Sequence, residues 1–155
     1  MKCSQLWKKI CESNDGNVGF MLMRLFIGAM FIMHGYGKVF GGLEGFTGYV
    51  GKMGVPLFSV LAPVAAFAEF GGGILLVLGL LTRVVSFLLV CDMCVAFFVA
   101  HATAPFHVKE LALAYLFVCL MFFFKGAGKY SLDHLIQSSS CKNDALENDT
   151  SQAKQ

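Results

Sequence analysis

Eight ionisable residues, Arg24, His34, Lys38, Glu69, Arg83, Asp92, His101 and Glu110, lie in or at the ends of segments otherwise apolar enough to cross a bilayer. A charge at the centre of a membrane helix costs roughly 2.5 to 3.5 kcal/mol on insertion scales, so a chain that keeps several must turn them toward partners or a wet cavity. The pattern restricts the fold to a helical bundle with a polar site inside it.

Composition agrees. Of 155 residues, 57% are hydrophobic and only 14% charged, whereas about a quarter of a soluble domain is charged. A single membrane domain follows. The net charge is +2, and the basic residues stand beside the apolar spans in ones and twos, which argues against a nucleic-acid partner and for a role in topology. Cys91, Cys94 and Cys119 fall inside apolar spans and Cys3, Cys11 and Cys141 in the polar ends, so no loop carries a disulfide framework. The first apolar stretch contains Arg24 and has no small-residue exit, which predicts a retained anchor and not a cleaved signal peptide.

Residues 1–17 form a polar N-terminal segment in which Leu6, Trp7 and Ile10 beside Lys8 and Lys9 suit a surface helix. A membrane domain over 18–133 follows, with spans predicted at about 18–40, 57–81, 84–100 and 106–124. The glycines Gly41, Gly42 and Gly45 interrupt the helical pattern after the first span. Beyond them Phe46, Tyr49, Val50 and Met53 recur at helical spacing, predicting a short amphipathic helix in the first loop. The second span holds Pro63, Glu69 and Gly71-Gly72-Gly73, small residues that let helix backbones approach closely and kink. Residues 134–155 are polar and predict a disordered tail. Most lysines and arginines fall on the side of the termini, which the positive-inside rule assigns to the cytoplasm.

His34 and Lys38, four residues apart, share one helix face, and with His101, His107 and Glu110 they can converge near the outer end of the bundle. Glu69 and Asp92 fall near mid-membrane, where each needs a cation or a proton. A glutamate beside three glycines has no anchoring purpose, so Glu69 is read as functional or bundle-fixing, with a structural ion pair to Lys38, His34 or Arg24 as the alternative. Asp92 could instead hydrogen-bond a neighbouring helix in its protonated form. Arg24 and Arg83 suit structural ion pairs, or topology and headgroup anchoring by snorkelling. Cys91 and Cys94 have the C-x-x-C spacing of redox dithiols, but a mid-helix position in lipid favours packing over reactivity. His34, His101, His107 and Glu110 are of metal-ligand type without a metal-ligand spacing, so no metal site is assigned. No flavin, haem or iron–sulfur motif is present. Phe97-Phe98 and Phe122-Phe123-Phe124 would suit a flat apolar ligand such as a quinone.

The chain resembles the DoxX family of small four-helix bacterial membrane proteins over about Phe20 to Asp133. The features that carry the resemblance are Arg24, His34-Gly35-x-x-Lys38, Glu44-Gly45-Phe46, Gly54-Val55-Pro56, Ala68-Glu69-x-Gly71-Gly72, Leu81-Thr82-Arg83, His101, Glu110 and Gly128-Lys129-Tyr130-Ser131-Leu132-Asp133. The ordered set is specific where no single element is. It implies an all-α, four-helix bundle in the bacterial inner membrane and an association with redox chemistry, since relatives include a subunit of a thiosulfate:quinone oxidoreductase.

Two function classes follow. The first is a subunit or accessory protein of a quinone-linked redox or oxidative-stress system. There His34, Lys38, Glu69 and His101 would bind the quinone, and the candidates for proton chemistry are Glu69, His34, Lys38 and Glu110. The second is a non-enzymatic scaffold that recruits a soluble enzyme; a small transporter is the remaining alternative. Either class implies the lipid bilayer and a protein partner or a homo-oligomer as companions.

Overall fold

The computed structural model describes residues 15–138. The surface helix expected before Asn17 and most of the polar tail expected after Asp133 lie outside the described residues. Four helices form the bundle: α1 (Asp15–Lys52), α2 (Phe58–Leu78), α3 (Thr82–Val95) and α4 (Phe106–Lys125). A π-helical turn, Ala96–Ala100, prolongs α3. A short helical turn at 132–138 closes the described chain and takes in the first residues expected to be tail. All four helices, α3 with its π-helical extension, are long and apolar enough to cross a membrane, and no strand occurs among the described residues. The four-helix architecture expected from the apolar runs is therefore observed.

The helices are apolar nearly all round, as a lipid-embedded bundle requires. Leu22, Phe26, Met33, Phe67, Phe87, Phe117 and Phe124 point outward, while Phe31, Leu76, Leu89, Cys119 and Phe122 fill the interior. α1 does not stop at Phe40. It breaks at Gly42, whose φ of 148° and ψ of 65° suit glycine alone, and the helix resumes to Lys52 as the amphipathic segment the sequence predicts.

Glycines set how closely the helices approach. A Cβ added at Gly28 of α1 would lie 2.9 Å from the Gly73 carbonyl oxygen of α2, and one at Gly73 would lie 2.7 Å from the Gly28 carbonyl oxygen. The α1 and α2 backbones therefore touch without side chains between them. Gly72, one position earlier on α2, faces Val85 and Leu89 of α3. Two adjacent glycines thus seat α2 between two neighbours, which places the next charged residue N-terminal to them, Glu69, in the middle of the bundle.

The end of the bundle nearest the termini is clamped by two charged residues. Arg24 is only 2% exposed; its Nη1 donates to the Ala127 carbonyl at 2.6 Å and its Nη2 to the Tyr130 carbonyl at 2.7 Å. The guanidinium occupies the space a side chain would take at Gly79, the left-handed C-cap of α2. Asp133 holds the adjoining turn. Its carboxylate accepts from the Leu81 N–H at 2.9 Å and the Thr82 N–H at 3.1 Å, and its own N–H donates to the Gly79 carbonyl at 3.0 Å. Leu81 has a φ of 51°, a conformation costing a non-glycine residue about 1 to 2 kcal/mol. The carboxylate offsets that cost by capping the N-terminus of α3 from outside the helix.

Gly73→Val should lower stability by about 1 to 3 kcal/mol through overpacking against α1. Asp133→Ala should lower it by about 0.5 to 2 kcal/mol through loss of the cap. Unfolding in mixed micelles measures both, and a Gly73→Val protein as stable as wild type would contradict the direct α1–α2 backbone contact.

Candidate functional site

Three helices bring charge together at one depth. The Lys38 ammonium of α1 donates to Glu69 Oε1 of α2 at 2.6 Å, with the lysine side chain 30% exposed and the glutamate 3%. The Asp92 carboxyl of α3 lies beside this pair, close enough to feel the charges of Glu69 and Lys38. Glu69 Oε2 and Asp92 Oδ2 are both buried and have no donor group facing them among the described residues. Carboxylate oxygens only accept, so a bond between the two side chains requires a proton on one of them. One cation and two carboxyls would make a neutral cluster, tolerable in an apolar surround, if the carboxyls shared one proton.

The local folding is simple. Glu69 lies ten residues before Gly79, where α2 is capped, and Asp92 ten residues after Thr82, where α3 begins. Equal rise along two antiparallel helices carries both carboxyls to the same level. Lys38 reaches that level from α1 because the Gly28–Gly73 contact draws the helices close. The break at Gly42 lets the Phe46 ring cover the ammonium at 4.7 Å, a cation–π contact that shields it from one side.

A cavity of about 160 Å³ opens beside the cluster, toward the end of the bundle opposite the termini. Its polar lining is His34, Lys38, Glu69 and His101 with Tyr115, and its apolar walls include Phe31, Met93 and Leu111. The Tyr115 ring stands 5.2 Å from that of Phe31 and 6.2 Å from that of His34, measured between centroids. The volume is near the roughly 150 Å³ of an engineered apolar cavity that accepts benzene. His34, Val108 and Leu111 are exposed, so the cavity communicates with the bundle surface. The π-helical turn contributes to this lining: the His101 N–H bonds the Ala96 carbonyl five residues back at 3.0 Å. The extra residue in that turn puts both Ala96 and His101 on the cavity wall.

The structure thus gathers His34, Lys38, Glu69 and His101 around one space, as expected. It does not bring His107 or Glu110 there. The cavity face of α4 consists of Val108, Leu111, Ala112 and Tyr115, at helical spacing. His107 and Glu110 are exposed on other faces. Arg24 lies buried with the Ala127 and Tyr130 carbonyls accepting from its guanidinium, and no carboxylate among the described residues forms an ion pair with it; Arg83 is exposed at the end of the bundle nearest the termini. Cys91 and Cys94 are free thiols one turn apart on α3, with Cys91 exposed. Among the described residues no group of three or more histidine, cysteine, aspartate or glutamate side chains is arranged to hold a metal ion. The sequence offers a neighbouring helix as the partner of Asp92 without naming Glu69, which their symmetric placement about the turn between α2 and α3 brings to the same level. Tyr115 carried no comparable signal.

Comparison with known proteins agrees with this architecture. The model of the DoxX family matches residues 19–102, and that of the TQO small subunit DoxD matches residues 61–150. An uncharacterised protein of Haemophilus influenzae is 36% identical over 119 residues, covering 72% of this chain and 86% of that protein. The inner membrane protein YqjF of Escherichia coli is 30% identical over 126 residues, covering 77% of this chain and 93% of its own. CatD of Bacillus subtilis, named as a candidate oxidoreductase, is 37% identical over 89 residues, 57% of this chain and 64% of its own. No solved structure matches. With its four apolar spans, its buried charge cluster and these relatives, the chain belongs to the DoxX family of membrane proteins.

Proposed function

We propose that this protein is an inner-membrane subunit or accessory protein of a quinone-linked redox system, and that the cavity beside Lys38, Glu69 and Asp92 takes the quinone head group. The observation that carries this reading is the cluster itself: an ammonium and a carboxyl, Lys38 and Glu69, border a cavity sized for one ring, with the Asp92 carboxyl behind them as a site for a shared proton. Reducing a quinone to a quinol takes two electrons and two protons. The Lys38 ammonium, or His34, can donate a hydrogen bond to one carbonyl oxygen, and the Glu69–Asp92 pair can deliver or accept a proton at close range. His34 and His101, nearer the surface, suit exchange of that proton with water.

The redox part of the reading draws support from the match to the small subunit of TQO, the thiosulfate:quinone oxidoreductase, and from the name of the Bacillus relative. The inner-membrane location draws on the name of the Escherichia coli relative, and cytoplasmic termini follow from the basic residues at that end. The chain carries no motif for an electron-carrying cofactor, so a partner protein supplies the electrons. The same ion pair also favours the scaffold reading, because Lys38 and Glu69 tie α1 to α2 whether or not anything binds between the helices.

Organic extraction of the detergent-purified protein, followed by mass spectrometry, separates the two. Wild type should release quinone in near-stoichiometric amount, and folded Glu69→Gln and Lys38→Ala proteins should release little. Extracts free of quinone from every folded sample would overturn the quinone site and favour the scaffold. A stability cycle tests the cluster independently of any ligand. Lys38→Met alone should cost about 3 to 5 kcal/mol by stranding a buried charge, and the Lys38→Met, Glu69→Gln double variant should recover part of that loss. Additive losses in unfolding measurements would contradict a coupled pair.

A further inference from the structure

A second and larger concavity lies at the end of the bundle nearest the termini. It is a cleft of about 560 Å³ between the α2–α3 turn and the 125–137 segment, lined by Arg83, Lys125, Lys129 and His134 among others. Asp133 is the one acidic residue in its lining, and both of its carboxylate oxygens are engaged by the Leu81 and Thr82 N–H groups. Lys125 rests over the Phe20 ring at 4.6 Å. The only ion pair among the described residues is that of Lys38 with Glu69, so none of the four basic side chains has an acidic partner there.

A topology signal accounts for basic residues at this end of the bundle, but not for the convergence of Arg83 with Lys125, Lys129 and His134, from two separate stretches of the chain, on one concavity. Gly126 adds room for the guanidinium, since a Cβ there would come within 3.3 Å of Arg83 Nε.

We propose that this cleft binds a phosphate oxyanion, and that the phosphate belongs to the headgroup of an anionic phospholipid. The cleft sits where α3 begins and α4 ends, at the depth where an apolar span meets the headgroup layer. Arg83 and Lys129 supply charge-assisted hydrogen bonds. The site is independent of the cavity at the other end of the bundle and of any reading of that cavity.

Native mass spectrometry of the full chain released from detergent tests the assignment, with phosphatidylglycerol or phosphatidylethanolamine added in turn. Phosphatidylglycerol should be retained in preference to phosphatidylethanolamine. Arg83→Ala and Lys129→Ala should each weaken its retention about fivefold, while Lys52→Ala, at the opposite end, should leave it unchanged, with helical content confirming the fold of every variant. Equal retention of the two lipids, or equal losses from Lys52→Ala and Arg83→Ala, would overturn the site. Displacement of phosphatidylglycerol by an equal concentration of inorganic phosphate would overturn the lipid assignment in favour of a soluble phosphate.

Discussion

The constraint on which the rest of the structure depends is the placement of Glu69 in the apolar centre of a helical bundle, 3% exposed. A bare carboxylate there would be prohibitively costly, so the fold must supply compensation from other helices. It supplies an ammonium from α1 and brings beside it a second carboxyl from α3, with which Glu69 can share a proton. Both require the helices to approach closely, and the adjacent glycines Gly72 and Gly73 on α2 allow that on two sides. Packing and electrostatics are therefore one problem in this protein. Bulk at either glycine would move the cation or the second carboxyl away from Glu69.

The two ends of the bundle solve different problems with similar residues. Near the termini, Arg24 is consumed by backbone carbonyls and Asp133 by backbone N–H groups, so both charges are spent on holding the 126–133 segment against the α2–α3 turn. Toward the other end, Lys38, Glu69 and the histidines His34 and His101 border open volume. Charge locked into the backbone stabilises; charge left facing a cavity is available for chemistry. That asymmetry distinguishes the candidate site from the structural clamp more firmly than residue type does.

Much of this was legible in the sequence. The apolar runs specify four spans, the Gly41–Gly45 region marks the interruption after the first, and His34, Lys38, Glu69 and His101 do share one space. What escaped the sequence did so for physical reasons. The partners of Arg24 are carbonyl groups more than a hundred residues away, and carbonyls carry no sequence signal. The π-helical turn that places His101 depends on one displaced hydrogen bond, which the apolar pattern of 96–100 does not encode. His107 and Glu110 misled because nearness to the end of a span does not specify a helix face; the register of Val108, Leu111, Ala112 and Tyr115 does.

The central proposal is that Glu69 and Asp92 share a proton beside the Lys38 ammonium. Infrared spectroscopy of the reconstituted protein tests it most directly, by looking for the C=O stretch of a protonated carboxyl at neutral pH. The account predicts a band that is present in wild type, shifts in deuterium oxide, and is lost or displaced in folded Asp92→Asn and Glu69→Gln proteins. A wild-type spectrum with no protonated-carboxyl band, or a band unaffected by either substitution, would contradict it.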